Sequence, residues 1–147
     1  MGKKRIVKQK GQKSNNSLKA RALARTPKKK LAEGTLYVHA TYNNTKVLLT
    51  DKKGNAFAAS SSGALGFKGA KKGTPFAAAE VGRLVGEKAA LMGVTSADVV
   101  IKGVGSGRES AVRSFASAGE KGIEINSIVD KTPVPFNGPR PPKPRRV

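Results

Sequence analysis

The charge of this chain is gathered at its two ends, and that confines any hydrophobic core to the middle. Residues 1–30 hold 12 Lys and Arg and no acid, and residues 131–147 hold five more, again without an acid. The two ends supply 17 of the formal net charge of +20, whereas residues 31–130 carry 12 basic and nine acidic residues. Ordering a like-charged arm with few large apolar residues costs about 1–2 kcal/mol per residue in backbone entropy, with little burial to offset it. Residues 1–30 are therefore expected to be a disordered arm that orders only on a partner. Residues 131–147 contain six Pro, which remove donors and fix φ, so an extended, semi-rigid arm is expected there. Residues 31–130 are left as one globular α/β domain. A near-neutral body between two cationic arms suits insertion into a polyanion.

Composition narrows the chemistry. The absence of Cys removes disulfides, thiolate metal ligands and a Cys nucleophile. His39 is the one His, so neither a zinc cluster nor a second catalytic imidazole can be assembled. No apolar run approaches the roughly 20 residues that span a bilayer. Residues 1–30 lack a secretory apolar region, and Ile6 stands where a myristoylation motif wants Ser or Thr. The same residues are basic enough for an organelle transit peptide, but they are dominated by Lys and lack an amphipathic period. The expected setting is cytoplasmic, with no membrane role.

Hydrophobic periodicity organises the middle. In Thr35–Tyr42, Leu36, Val38, Ala40 and Tyr42 share one strand face and Tyr37 and His39 the other. Asn43 and Asn44 then read as a tight hairpin turn with positive φ, leading into a strand from Thr45 to Thr50. Lys52–Asn55 marks a second turn, and Ala56–Ser60 a weaker third strand. A thirteen-residue loop, 62–74, separates this meander from a helix begun by Thr74 as N-cap and Pro75 at the first helical position. Val81, Leu84, Val85 and Met92 mark its apolar face, and Arg83 and Glu87 can pair at i,i+4. Gly82 and Gly86 are expected to let that helix sit close on the sheet. Val99-Val100-Ile101 reads as a buried parallel strand. Ser106 to Glu109 has the spacing of a capping box for a second helix, with Val112 and Phe115 inward and Gly122 at its end. Ile123–Asp130 completes the order β-β-β-α-β-α-β, a mixed five-stranded sheet of ribonuclease H-like type with helices packed on its faces.

Two loops carry candidate chemistry. Lys68, Lys71 and Lys72 lie in a Gly-rich segment that runs into a helix N-terminus, where amide donors and the helix dipole favour anions. Gly103-Val104-Gly105-Ser106-Gly107-Arg108 lies between a strand and a helix, and Arg108 adds a fork suited to phosphate. Three readings stand for this loop: a clamp on nucleic-acid phosphates, a tight turn only, or a dinucleotide site with Asp130 as its ribose acid. The spacing G-x-G-x-G departs from the dinucleotide fingerprint. A metal-dependent nuclease on this sheet would need several converging carboxylates. Asp51 and Asp130 end strands, but no further ligand is evident. No catalytic set, cofactor or metal site is expected.

Five ordered blocks then become familiar: Asn43-Asn44-Thr45, Gly66–Gly69, Lys72–Ala78, Lys102–Ser110 and Asn137–Val147. Together they resemble the small-subunit ribosomal protein eleven family, in its bacterial or organelle form, from about Gly34 to the C-terminus. Val104 replaces a usual Pro, Pro139 a common Cys and Phe136 a common His. The resemblance implies a structural constituent of the small ribosomal subunit. It implies a seat on the platform, bridging separate helices of small-subunit ribosomal RNA, with the C-terminal arm near the exit-side messenger RNA path and the Shine–Dalgarno helix. It also implies ribosomal proteins six, seven, eighteen and twenty-one as neighbours, with initiation factor three nearby.

The candidate RNA-binding residues of the body are Asn43, Asn44, Lys68, Lys71, Lys72 and Arg108. Those of the C-terminal arm are Asn137, Arg140, Lys143, Arg145 and Arg146. Those of the N-terminal arm are Lys3, Lys4, Arg5, Arg21, Arg25, Lys28, Lys29 and Lys30. The rival classes are a dinucleotide enzyme and a DNA-binding protein, though no helix-turn-helix or zipper pattern is present. Asn137-Gly138 is, in addition, a flexible pair prone to deamidation.

Overall fold

The structure is a computed structural model that describes residues 20, 21, 23, 24, 30–119 and 121–146. Strands β1 (Glu33–Ala40), β2 (Thr45–Thr50) and β3 (Ala56–Ser61) form an antiparallel meander. A 3-10 turn, Gly69–Gly73, leads into α1 (Pro75–Met92). Then come β4 (Ser96–Lys102), α2 (Arg108–Ala116) and β5 (Glu124–Asp130). The sheet order is β3-β2-β1-β4-β5, with β4 parallel to both β1 and β5.

Alternation along β1 fixes which face is inside. Leu36, Val38 and Ala40 are buried, and their register partners Leu49, Val47 and Thr45 on β2 are buried with them. From β4, Val99 and Ile101 join the same cluster, and Val81, Leu84, Val85, Val112 and Phe115 cover it from the helices. Burying each such Leu or Phe contributes about 1.5–3 kcal/mol. Both helices lie on this one face, not one on each. Val100, on the other face, is screened by its register neighbours Tyr37 and Val129.

The two helices lie in close contact with each other. A Cβ on Gly82 would stand 2.9 Å from the Ala111 carbonyl carbon and nearer still to its oxygen. One on Gly86 would meet the Ala118 methyl and come within 3.0 Å of the Phe115 oxygen. These glycines serve the helix–helix contact, not the helix–sheet contact expected from spacing. Thr74 caps α1 by accepting from the Ala77 amide at 3.3 Å, and Pro75 follows it. Gly93, at φ 85°, closes the helix in the left-handed region. Arg83 reaches Glu80 at 3.1 Å and the expected partner Glu87 only at 3.9 Å. Lys88 is buried in α1, and burial pushes its ammonium pKa down.

Five local expectations fail. β1 stops at Ala40, so Tyr42 is turned out and 79 % exposed, not buried. Asn43 and Asn44 do not take positive φ. Thr41 closes that turn instead, its amide and hydroxyl both donating to the Asn44 carbonyl at 2.8 and 3.0 Å. Ser106 forms no capping box, because its hydroxyl donates to the Gly73 carbonyl at 2.9 Å and Gly107 occupies the N-cap. Finally, α2 ends at Ala116, well before Gly122, and the loop 62–74 is not irregular throughout.

Of the N-terminal segment, residues 20, 21 and 23 are helical and Leu23 packs partly buried against the core. The rest of the arm, 1–19, 22 and 25–29, lies outside the described residues. Residues 131–146 form no helix or strand, and Thr132 alone among them is not exposed.

Candidate nucleic-acid interface

Three loops and the root of the C-terminal arm meet at one end of the sheet, where β1 and β4 finish. The turn 41–44 touches the 3-10 segment: a Cβ on Gly73 would lie 2.9 Å from the Tyr42 carbonyl carbon. Ser106 ties the loop before α2 to that same Gly73. The N-termini of both helices therefore converge, and the positive ends of their dipoles lie together.

The glycines of the 103–107 loop have a packing reason. Cβ atoms on Gly103 and Gly105 would stand 2.9 and 2.8 Å from the carbonyl carbons of Ala40 and Thr41. One on Gly107 would meet the Thr45 hydroxyl and the Ala78 methyl at 2.5 and 2.6 Å. The Gly103 amide donates to the Thr132 hydroxyl at 3.1 Å, and the Gly105 amide to the Ala40 carbonyl at 3.0 Å. Those two donors serve the fold, not a phosphate.

Arg108 is engaged as well. One arm of its guanidinium donates to the Gly103 carbonyl at 2.9 Å, and the other pairs with Asp130. Asp130 also accepts from the Thr132 hydroxyl at 2.6 Å and its amide at 2.9 Å. The Thr132 hydrogen bonds, with Arg108 added, hold the Asp130 carboxyl down at about 2. A carboxylate so occupied makes a poor ribose ligand. Asp51 is likewise held by Asn55 in its turn, which lowers its pKa, and Asp98 accepts from the Ser127 hydroxyl. Among the described residues no group of His, Asp and Glu is placed to hold a metal ion.

The cations gather around this frame. Lys68 and Lys71 are exposed and Lys72 half-buried. Lys46 and Lys102 flank His39 in register, on the strands to either side, and all three are exposed. Lys46 and Lys102 are additions to the sequence-derived set; only the cross-strand register brings them together. Asn43 is exposed, whereas Asn44 is half-buried with its Oδ1 lacking a partner among the described residues. Asn137, at φ 49°, Arg140, Lys143, Arg145 and Arg146 are exposed along the arm, as are Arg21 and Lys30. Lys3, Lys4, Arg5, Arg25, Lys28 and Lys29 lie outside the described residues.

The opposite end carries both signs. There Glu33, which opens β1, pairs with Lys52, and Glu87, Glu124 and Lys121 edge an apolar groove of about 810 Å³ that includes Leu23 and Leu91. The family model for Ribosomal protein S11 matches residues 34–146, which covers the whole basic pole and the C-terminal arm.

Proposed function

The chain belongs to the ribosomal protein S11 family, and from that membership we propose that it sits on the platform of the small ribosomal subunit and bridges separate RNA helices there. The family is structural and non-enzymatic, so the chain is a small-subunit ribosomal protein that binds ribosomal RNA and works in translation. It resides in the ribosome, in the cytoplasm or an organelle matrix; the cytoplasmic ribosome is our reading.

One observation carries the proposal: loops 41–44, 68–74 and 103–108 and the start of the C-terminal arm converge on one pole, with both helix N-termini and the lysines. Lys68, Lys71, Lys72, Lys46 and Lys102 neutralise phosphates there, and Asn43 and Asn44 supply neutral polar contacts. Arg108 acts in this reading as a brace for the loop. The C-terminal arm then threads between RNA helices, its arginines making forked or stacked contacts and Lys143 a point contact. It leads toward the exit-side messenger RNA path and the Shine–Dalgarno helix. The N-terminal lysines and arginines extend the same neutralisation. Ribosomal proteins six, seven, eighteen and twenty-one are the proposed neighbours, with initiation factor three close by. The sheet order β3-β2-β1-β4-β5 supports a ribonuclease H-like description of the frame.

Hydroxyl-radical footprinting of reconstituted small subunits tests the placement. Protection concentrated in platform helices, lost when the tagged chain is omitted, is the expected result. Protection confined to another region of the subunit would overturn it.

A further inference from the structure

The basic pole contains a pocket whose aromatic and apolar walls charge neutralisation does not use. It measures about 360 Å³ and is walled by His39, Tyr42, Lys102, Val104, Thr132 and Pro133. That volume falls within the range of small-ligand sites. Tyr42 is 79 % exposed and Val104 58 %. Neither side chain contributes much to the core, yet both present apolar surface into one concavity. The backbone wall is fixed in advance: Gly103 is tied to Thr132, Gly105 to Ala40, and Arg108 braces the Gly103 carbonyl against Asp130.

The lining has a particular chemistry. Tyr42 and His39 offer two π surfaces, Lys102 stands in the wall, and Lys46 faces His39 from the next strand. Among the described residues no carboxylate lines the pocket. Aromatic faces beside ammonium groups match a nucleotide with its base unstacked, the base lying on the rings and its phosphate on the lysines. A base within an A-form helix has both faces covered by its neighbours and cannot enter.

Resting on the reading that this pole binds RNA, we propose that the pocket takes one extruded nucleobase from a bulge or loop, stacked on Tyr42 and His39 with its phosphate on Lys102.

The test uses the full chain and two RNA hairpins of equal length, one fully paired and one with a single bulged 2-aminopurine. Unlabelled competitors carry each natural base at the bulge. Wild type is expected to bind the bulged hairpin more tightly and to change 2-aminopurine fluorescence on binding. Tyr42→Ala should lose about 5- to 150-fold on the bulged hairpin and little on the paired one. Tyr42→Phe should retain the preference, because stacking needs the ring and not the hydroxyl. Equal wild-type affinity for both hairpins and all competitors overturns the pocket assignment while the RNA-binding reading stands. So does a Tyr42→Ala variant that loses nothing on the bulged hairpin. Failure to bind either hairpin, together with failure to bind small-subunit ribosomal RNA, overturns the reading beneath it.

Discussion

Gly82→Ala separates two effects of opposite sign. Within a helix, replacing Gly by Ala is worth about 1 kcal/mol in propensity. At Gly82, however, the added methyl would stand 2.9 Å from the Ala111 carbonyl carbon and 3.0 Å from its Cα, and nearer still to the oxygen. These atoms are backbone within α2, so no rotamer change relieves the overlap and the helices must part. Overpacking of this kind costs about 1–3 kcal/mol, occasionally more. With a rigid neighbour the upper end applies, leaving a net loss of about 2 kcal/mol. For a folded body near 100 residues that lowers Tm by about 8–16 °C. Thermal unfolding followed by circular dichroism measures it. Gly86→Ala should destabilise too, because its methyl would overlap the Ala118 Cβ, which no rotamer change can move, and stand 3.0 Å from the Phe115 oxygen. A rise in Tm for Gly82→Ala would refute the close helix contact, and with it the convergence of the two helix N-termini.

Thr45 is fully buried and its hydroxyl has no partner among the described residues, so Thr45→Val should leave Tm unchanged or raise it, by up to about 1 kcal/mol in stability; a drop in a thermal melt would show that the hydroxyl is satisfied. Asp130 titrates at about 2 against an ordinary 3.8, so its contribution to stability is complete above the ordinary value and disappears as pH falls through about 2. Asp130→Asn should therefore melt below wild type at neutral pH and converge with it in strong acid. Deleting residues 139–147 removes Arg140, Lys143, Arg145 and Arg146, and should flatten the salt dependence of RNA binding by about 0.7–0.9 in slope for each phosphate no longer neutralised.

What was legible in the sequence is what is decided locally. Alternation along residues 35–40 placed Leu36, Val38 and Ala40 inside, and Thr74-Pro75 marked the start of α1. Most of what was not legible depends on a distant partner. Ser106 has the spacing of a cap, but Gly73 lies within reach of its hydroxyl. Tyr42 continues the alternation, but the strand yields to a turn closed by Thr41. Gly82 and Gly86 announce a close approach without saying to what. The site divides in the same way. The lysines of the 68–72 loop could be found by composition, whereas Lys102 lies far along the chain from His39 and Lys46, and the three become one row only through register. Arg108 has the form of a phosphate fork, and its engagement by Gly103 and Asp130 rests on the β5 position, which no local pattern encodes.

The central claim is that this chain binds ribosomal RNA through many phosphate contacts made by a basic pole and basic arms. Filter binding of the full chain to a platform fragment of small-subunit ribosomal RNA, across a series of salt concentrations, tests it most directly. With about eight phosphates neutralised, log K should fall against log salt with a slope of about −6 to −7. A slope near zero would contradict the account.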